Sequence, residues 1–504
     1  QSYNHLRKFK QALHFFFANI SPFSYICKSC YNPFVMKYAW IALFILISPI
    51  VPAQQTDMLK FRISLTDKTV TTYSLNRPHE FLSEKAINRR TRQHLPIDST
   101  DLPVCSKYMN AIKQTGVKIV TTGKWDNFVT VSCNDEVLID KIAKLPFVRN
   151  TEKVWTDPQQ AQTTVGRDTI ASTNAGKTEN EYGAAYGQIR LNNGHKLHAA
   201  GFRGRGMTIA VIDAGFHNAD NIKLLKNIHV LGTKDFVNPN SDIYAESDHG
   251  TKVLSCMATN QKYIMTGTAP QASYWLLRSE DERSEHLVEQ DYWAAAVEFA
   301  DSVGVDLINS SLGYYAFDDT LKNYTHDHLD GHYALISRQA SKVADKGMIL
   351  VCSAGNAGNK AWKKITTPAD ADNILTVGAV DKDTLAIAFS STGNTADYRI
   401  KPDIMAVGSD VWVMCTDGNV CKANGTSFSS PIICGMAACL WQACPQLTAK
   451  EIIALIRRSG NRFTRPDHIY GYGVPDMWKA YTLCMPVLPS AKDSFPAISQ
   501  TGRD

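Results

Sequence analysis

The chain has 504 residues, which is enough for two or three domains and a large buried core. Its composition, 44% hydrophobic and 20% charged, is that of an ordinary globular protein. The formal net charge of +5 is small for this length and gives no reason to expect nucleic acid or an acidic membrane as a partner.

The first feature along the chain is an export signal. Met36 and Lys37 precede an apolar run that ends in small residues at Ala53. This pattern predicts a signal peptide over residues 36–53, because the run is too short to span a bilayer comfortably. We therefore expect a secreted or periplasmic protein with no stable membrane anchor; a transmembrane anchor is the alternative. Residues 1–35 precede the natural start at Met36 and stay unassigned as a leader.

The next segment, residues 57–155, predicts a small α+β domain. Strand-like and helix-like patterns alternate along it, which favours helices on a small antiparallel sheet. The expected strands are 61–65, 117–120, 127–132 and 148–154, and the expected helices are 80–92, 106–116 and 137–145. Within the first helix, Arg89, Arg90 and Arg92 are interpreted as a solvated face rather than a nucleic-acid patch.

Residues 156–185 have the polar composition of a linker, with almost no large apolar side chain. Such segments are where proteolysis concentrates, so we expect a processing site here. At the other end of the chain, residues 485–504 are predicted to be a short tail.

Residues 186–484 predict the main domain, because short apolar runs alternate with helical stretches. This alternation indicates an α/β fold with a mostly parallel sheet between helices, whose active site lies beyond the carboxyl ends of the strands. The expected strands are 208–212, 274–277, 305–309, 348–352, 374–379 and 404–407, and the expected helices include 286–302 and 332–346.

Two polar residues at the ends of such elements are candidates for chemistry. Asp213 ends an apolar strand, where a carboxylate can orient an imidazole and stabilise it once protonated. His249 opens a helical run and titrates near neutral pH, so it can accept and return a proton. Gly250 is expected to leave room for a substrate backbone. Either residue alone is more commonly a cap or a surface side chain.

A hydroxyl and an amide complete the set. Ser427 precedes a long apolar helix, where nearby N–H groups stabilise negative charge. Ser429 and Ser430 are rival nucleophiles on spacing alone. Asn356 lies in a glycine-rich turn after a buried strand, so its side-chain N–H can donate to an oxyanion beside the backbone N–H of Ser427.

Taken together, these segments resemble the catalytic domain of subtilases, the S8 serine peptidases, from about Tyr186 to Leu483. The three matching motifs and the oxyanion turn are Asp213-Ala-Gly, His249-Gly-Thr, Gly425-Thr-Ser427-x-x-x-Pro431 and Ser353-Ala-Gly-Asn356. Ala214 and Lys252 depart from the residues that many subtilases carry, but neither is a catalytic group. The order Asp, His, Ser is that of subtilisin.

The resemblance implies a secreted serine endopeptidase that forms an acyl-enzyme on Ser427 and matures from a zymogen. It also implies that residues 57–155 are a propeptide, serving as chaperone and inhibitor, and that two segments bind the substrate backbone. Those segments contain Ser311, Leu312 and Gly313 in one and Ser353, Ala354 and Gly355 in the other. A catalytically inactive binding module of the same fold is the alternative. The motif and residue order of other serine esterases, Gly-x-Ser-x-Gly with Ser before Asp and His, do not occur here.

The expected partners are protein or peptide substrates and the chain's own propeptide, with a monomer as the resting state. The chemistry requires no cofactor; many subtilases bind structural calcium, but no loop here is assigned to it. The cluster His326, Asp327, His328, Asp330 and His332 is interpreted as a solvated loop in preference to a metal site. Cys415 and Cys421 flank a turn and could form a disulfide in an exported protein.

Overall fold

The computed structural model describes residues 59–157, the backbone of 170–171, and residues 180–485. The leader at 1–35, the signal peptide at 36–53, most of the 156–185 linker and nearly all of the tail lie outside these residues. In the described part of the chain, no helix combines the length and apolarity needed to cross a membrane.

The segment before residue 157 is a four-stranded antiparallel sheet with helices, in the strand order β2-β3-β1-β4. Its elements are β1 (Leu59–Leu65), α1 (Glu84–Arg92), α2 (Ser106–Lys113), β2 (Lys118–Gly123), β3 (Phe128–Cys133), α3 (Val137–Ala143) and β4 (Val148–Thr156), with a 3-10 turn at Pro78–Glu80. The first helix begins at Glu84 rather than at residue 80, because the Ser83 hydroxyl accepts from the Ala86 N–H and caps it there.

After residue 157 come β5 (Ile170–Ala171), α4 (Tyr186–Arg190), α5 (Gly194–Ala199), β6 (Thr208–Asp213), β7 (His229–Asp235), α6 (His249–Ala258), β8 (Asn260–Gln261), β9 (Met265–Thr266), β10 (Ser273–Arg278), α7 (Val288–Ser302), β11 (Leu307–Ser310), α8 (Leu335–Lys342), β12 (Ile349–Ser353), β13 (Leu375–Val380), β14 (Ile404–Val407), β15 (Val411–Met414), β16 (Val420–Ala423), α9 (Thr426–Ala443), α10 (Ala449–Ser459) and α11 (Met477–Cys484). Shorter 3-10 turns lie at Lys223–Leu225, Thr320–Lys322, His326–His328 and Ala344–Lys346.

Seven of the described strands form one parallel sheet in the order β14-β13-β12-β11-β6-β10-β7. All residues of β6 are buried, and they divide between two cores: Ile209 and Val211 pack on one face, Ala210 and Ile212 on the other. Helices α6 and α9 cover the first face, and α7 and α8 cover the second. The predicted α/β three-layer fold is confirmed.

The expected strands did not include the edge strand β7, the short strands β5, β8 and β9, or the two strands of a hairpin, β15 and β16. The edge strand β7 is half exposed and carries several polar residues, so it lacks the continuous apolar run that marks the central strands. The hairpin of β15 and β16 is closed by a disulfide between Cys415 and Cys421, as the spacing suggested.

The segment before residue 157 packs on helix α7 through buried charges as well as apolar contacts. Arg89 and Arg90 are 2% and 1% exposed, and both guanidinium groups donate to Asp301 of α7. The interpretation of these arginines as a solvated face is therefore wrong, although Arg92 is exposed. Arginines in this position are buried because a carboxylate from a distant part of the sequence pairs with them.

Candidate active site

An acid and a base meet at the carboxyl edge of the parallel sheet. Asp213 is the last residue of β6 and is fully buried, and its Oδ1 lies 2.7 Å from Nδ1 of His249. The same oxygen accepts a hydrogen bond of 2.8 Å from the Ala214 N–H. Because Asp213 is held by its own backbone turn, it fixes the ring orientation of His249 at the start of α6.

Close backbone packing positions that histidine. A Cβ added to Gly250 would lie 2.3 Å from the carbonyl oxygen of Gly215, so only glycine lets α6 begin this near the Asp213 loop. The glycine therefore allows this close contact within the protein, and the expected clearance for a substrate stays a prediction. The His249 N–H also donates to the hydroxyl of Ser247, at 3.2 Å.

Ser427 lies in the first turn of α9, and the following residue, Phe428, packs its ring 6.0 Å from the His249 ring, centroid to centroid. Ser427 is 6% exposed, whereas Ser429 and Ser430 are fully buried. Ser429 donates to the Thr426 carbonyl and Ser430 to the Asn309 side chain. The two rival serines therefore have structural roles inside the helix and its packing.

The amide of Asn356 is oriented by the residue before Ser427. Both the N–H and the hydroxyl of Thr426 donate to Oδ1 of Asn356, each at 2.9 Å. Because the amide oxygen faces Thr426, the amide nitrogen is directed away from Thr426. Sequence reasoning missed this role of Thr426, since only folding brings residues 356 and 426 together.

The two predicted substrate-binding segments follow neighbouring strands. Ser311, Leu312 and Gly313 come after β11, and the Ser311 hydroxyl donates to the Ser427 carbonyl at 2.8 Å. The Ser353, Ala354 and Gly355 segment ends β12, with Ser353 and Ala354 buried. Gly355 has a φ of +102°, a conformation that favours glycine, and this turn presents Asn356.

One acidic residue beside the dyad was not found from the sequence. Glu280 follows β10, and its carboxylate accepts a hydrogen bond from the Tyr314 hydroxyl. Burial, and next the negative charge of Asp213, raise the pKa of Glu280 to about 7, while His249 opposes this shift. No motif marks this residue, because its proximity to Asp213 arises from strand order alone.

The histidine-rich loop makes other contacts. His326 Nε2 lies 3.0 Å from the Trp362 carbonyl oxygen, and the His328 ring stacks on Tyr333 with centroids 3.7 Å apart. Within the described ranges, no group of three or more His, Cys, Asp or Glu side chains is arranged to hold a metal ion.

Comparison with known proteins gives two family matches. Residues 204–473 match the profile described as the subtilase family, and residues 60–168 match the peptidase S8 propeptide domain of Bacteroidota.

Among curated proteins, the chain is 28% identical over 266 residues to subtilisin DY of Bacillus licheniformis, covering 52% of this chain and 87% of that protein. It is 26% identical over 321 residues to the serine protease AprX of Bacillus subtilis, covering 58% and 68%. It is 27% identical over 260 residues to subtilisin E of Bacillus subtilis, covering 51% and 61%.

Proposed function

This chain belongs to the subtilase family and is a serine endopeptidase with an S8-type propeptide, and we propose that it cleaves peptide bonds through an acyl-enzyme on Ser427. The observation that carries the proposal is the 2.7 Å contact of Asp213 with His249 beside the helix turn that bears Ser427. Asp213 binds Nδ1 of the imidazole and so orients His249 to act as the base through Nε2.

In the proposed mechanism, His249 accepts the proton of the Ser427 hydroxyl as its oxygen attacks the peptide carbonyl. The side chain of Asn356 and the backbone N–H of Ser427 donate to the resulting oxyanion. His249 then returns the proton to the leaving amine. In the second half of the reaction, water attacks the acyl carbonyl while His249 accepts a proton from it, and His249 gives that proton to the Ser427 oxygen as the acyl group leaves. The reaction uses groups of the chain alone, and we assign no cofactor to it.

We propose that two segments, Ser311–Gly313 and Ser353–Gly355, hold the backbone of the substrate residues that precede the cleaved bond. The substrate lies between these segments. Both segments emerge from the carboxyl ends of adjacent parallel strands, β11 and β12. Exposed backbone groups at such strand ends can pair with an extended peptide as an added strand.

We propose further that the protein is exported and matures by cutting its own chain. The apolar segment at 36–53 supports export, as does the Cys415–Cys421 disulfide, since disulfides persist in oxidising compartments. The inhibitory role of the propeptide is supported by its buried contacts with α7.

A fluorophosphonate probe tests the catalytic proposal. The mature protein is expected to be labelled on Ser427 and to lose peptidase activity in proportion to the label. A folded mature protein that takes up no label would instead be the inactive binding module.

A further inference from the structure

Two free cysteines lie side by side where helix α11 meets the helix that bears Ser427. Cys444 caps the carboxyl end of α9, and Cys484 is the last residue of α11. Helix α11 packs against α9 and α10, and Cys484 packs on the apolar core that contains Cys444. The side chains of the two cysteines are hydrogen-bonded to each other. The fold therefore holds two sulfur atoms from separate helices in contact.

The two thiols differ in access and in their surroundings. Cys484 is partly exposed, whereas the other seven free cysteines of the described residues, Cys444 among them, are buried. The side-chain N–H of Gln446 donates to Cys484 Sγ at 3.3 Å, and a donor at this sulfur favours its thiolate form. Burial, followed by the hydrogen bond with Cys484, raises the pKa of the Cys444 thiol. Cys484 is therefore the sulfur that an oxidant meets first, and Cys444 is the adjacent thiol that can react next.

Other cysteines in the same core have backbone partners. Cys256 Sγ donates to the Lys252 carbonyl at 3.6 Å, and Cys439 Sγ donates to the Thr268 carbonyl at 3.2 Å. Both are fully enclosed and behave as small apolar side chains. The contact between Cys444 and Cys484 is therefore a specific feature of the junction between α9 and α11.

Helix α11 is anchored at its amino end and weakly held at its carboxyl end. The Asp476 side chain caps the first end, and Met477 is fully buried there. At the second end, Leu483 and Met485 are 43% and 53% exposed, so few apolar contacts hold that turn. A covalent bond at Cys484 would fix this end of the helix on α9.

We propose that Cys444 and Cys484 form a disulfide that ties the carboxyl end of α11 to the carboxyl end of α9. Thiols in hydrogen-bond contact need only small side-chain rotations to reach the bonded sulfur separation of about 2 Å. The Cys415–Cys421 disulfide elsewhere in the chain agrees with an oxidising compartment. This crosslink goes beyond the proposed peptidase function and does not depend on it.

The oxidant is a compound with a disulfide bond of its own, such as glutathione disulfide. The Cys484 thiolate attacks one sulfur of that bond, which breaks and releases the other sulfur as a thiolate. Cys444 then attacks Cys484 Sγ, and the sulfur of the oxidant leaves with the electron pair of the broken bond. The protons of both cysteines end on the two released sulfurs, so the chain is oxidised and the oxidant is reduced to two thiols.

Peptide mapping of the full chain tests the crosslink. The protein is first treated with the fluorophosphonate probe against self-digestion, and glutathione disulfide is then raised until the Cys415–Cys421 bond is complete. Remaining thiols are alkylated after unfolding, and the protein is digested without reduction. Mass spectrometry is expected to find peptides joined through Cys444 and Cys484. A sample in which both cysteines are alkylated overturns the proposal, as does Cys484 joined to glutathione or to another cysteine.

Two variants serve as controls for this map. Cys484→Ser is expected to lose the new crosslink and to keep the Cys415–Cys421 bond. Cys439→Ser changes another buried cysteine of α9 and is expected to keep both bonds. A crosslink from Cys444 to a different cysteine in wild-type protein would also contradict the assignment.

The effect on stability is measured where the first disulfide is absent, in Cys415→Ser/Cys421→Ser. Dithiothreitol is expected to lower the Tm of this protein by about 5 °C or more, because a crosslink restricts the unfolded chain between α9 and α11. Adding Cys484→Ser is expected to abolish that shift. A Tm that does not respond to dithiothreitol overturns the tie between the helices. If the double variant does not fold, the crosslinked peptides of the wild-type protein decide the proposal alone.

Discussion

Ser427 differs from its neighbouring serines in exposure and not in chemistry. Ser427 keeps 6% exposure at the start of α9, while Ser429 and Ser430 are fully buried and their hydroxyls donate to other groups. Self-cleavage should therefore depend on one serine of the three.

Replacing Ser427 with alanine is expected to leave a precursor of full propeptide length, because the nucleophile that cuts the chain is gone. The measurement is the intact mass of the protein produced in a host without other proteases. Ser429→Ala is the matched control: it loses one buried hydrogen bond, worth about 1 kcal/mol of folding stability, and should still mature. Normal maturation of Ser427→Ala would refute self-cleavage.

Replacing Asn356 with alanine is expected to lower kcat by about 100- to 1000-fold with little change in KM, because an oxyanion donor acts mainly in the transition state. Fluorophosphonate titration gives the concentration of active enzyme, so that a folding defect is not mistaken for slow chemistry. An unchanged kcat per labelled site would remove Asn356 from the proposed mechanism.

At the residue scale, the sequence identified the candidate catalytic residues but not the residues that contact and position them. Asp213 and His249 are recognisable because each stands at the boundary of a strongly patterned element. Thr426, which holds the Asn356 amide, and Glu280, which lies beside Asp213, carry no local signal, because their contacts join residues far apart in the chain.

At the scale of elements, helix α7 is the surface on which the propeptide is held. Asp301 accepts from Arg89 and Arg90, and Glu298 accepts from the backbone N–H groups of Lys124 and Trp125. Helical periodicity could not predict this, because adjacent arginines on a short helix look solvated unless the carboxylate they meet is known. The prediction of a helix at α1 is therefore confirmed, whereas the interpretation of Arg89 and Arg90 as solvated is wrong.

Replacing Asp301 with asparagine is expected to speed release of the propeptide after processing. Removing one partner of a buried ion pair costs about 3–5 kcal/mol, because it leaves buried cations without compensation. The measurement is the lag between processing and full activity, together with retention of the propeptide during size-exclusion chromatography. In the control Asp345→Asn, which loses an exposed pair with Lys450, the lag should change little.

Propeptide binding should also weaken as pH rises from about 4.5 to about 7. Burial in the complex raises the pKa of Glu298 from 4.5 to about 7, so the complex binds a proton that the released carboxylate loses. Because the complex holds more protons than its separated parts, its stability falls as pH rises through this window. Burial raises the pKa of Asp291 as well, which adds to the trend, whereas Asp301 stays ionised because the pKa of that carboxyl is lowered by its cationic partners.

The pH dependence is measured as the propeptide dissociation rate at several pH values, and Glu298→Gln should flatten the profile. A Glu298→Gln protein with the wild-type slope would assign the pH dependence to other groups.

At the scale of the whole molecule, the order of elements was predictable because the main sheet is buried on both faces. Its central strands are continuous apolar runs that alternate with helices, and this pattern specifies a parallel sheet between two helical layers. The docking of the propeptide was not predictable, since it depends on charge pairs between residues more than 200 positions apart in the chain.

The position of the two described ends of the linker gives a final prediction about maturation. Strand β4 ends at Thr156 beside the cavity that His286 lines, and Ile170–Ala171 pairs with β16 just before Ser427. Because the chain leaves β4 at this cavity and is next described beside a strand that ends shortly before Ser427, the first cut is expected between Asp157 and Ile170. Amino-terminal sequencing and intact mass of the freshly processed protein locate this cut, and a first cut on the carboxyl side of Ala171 would contradict this prediction.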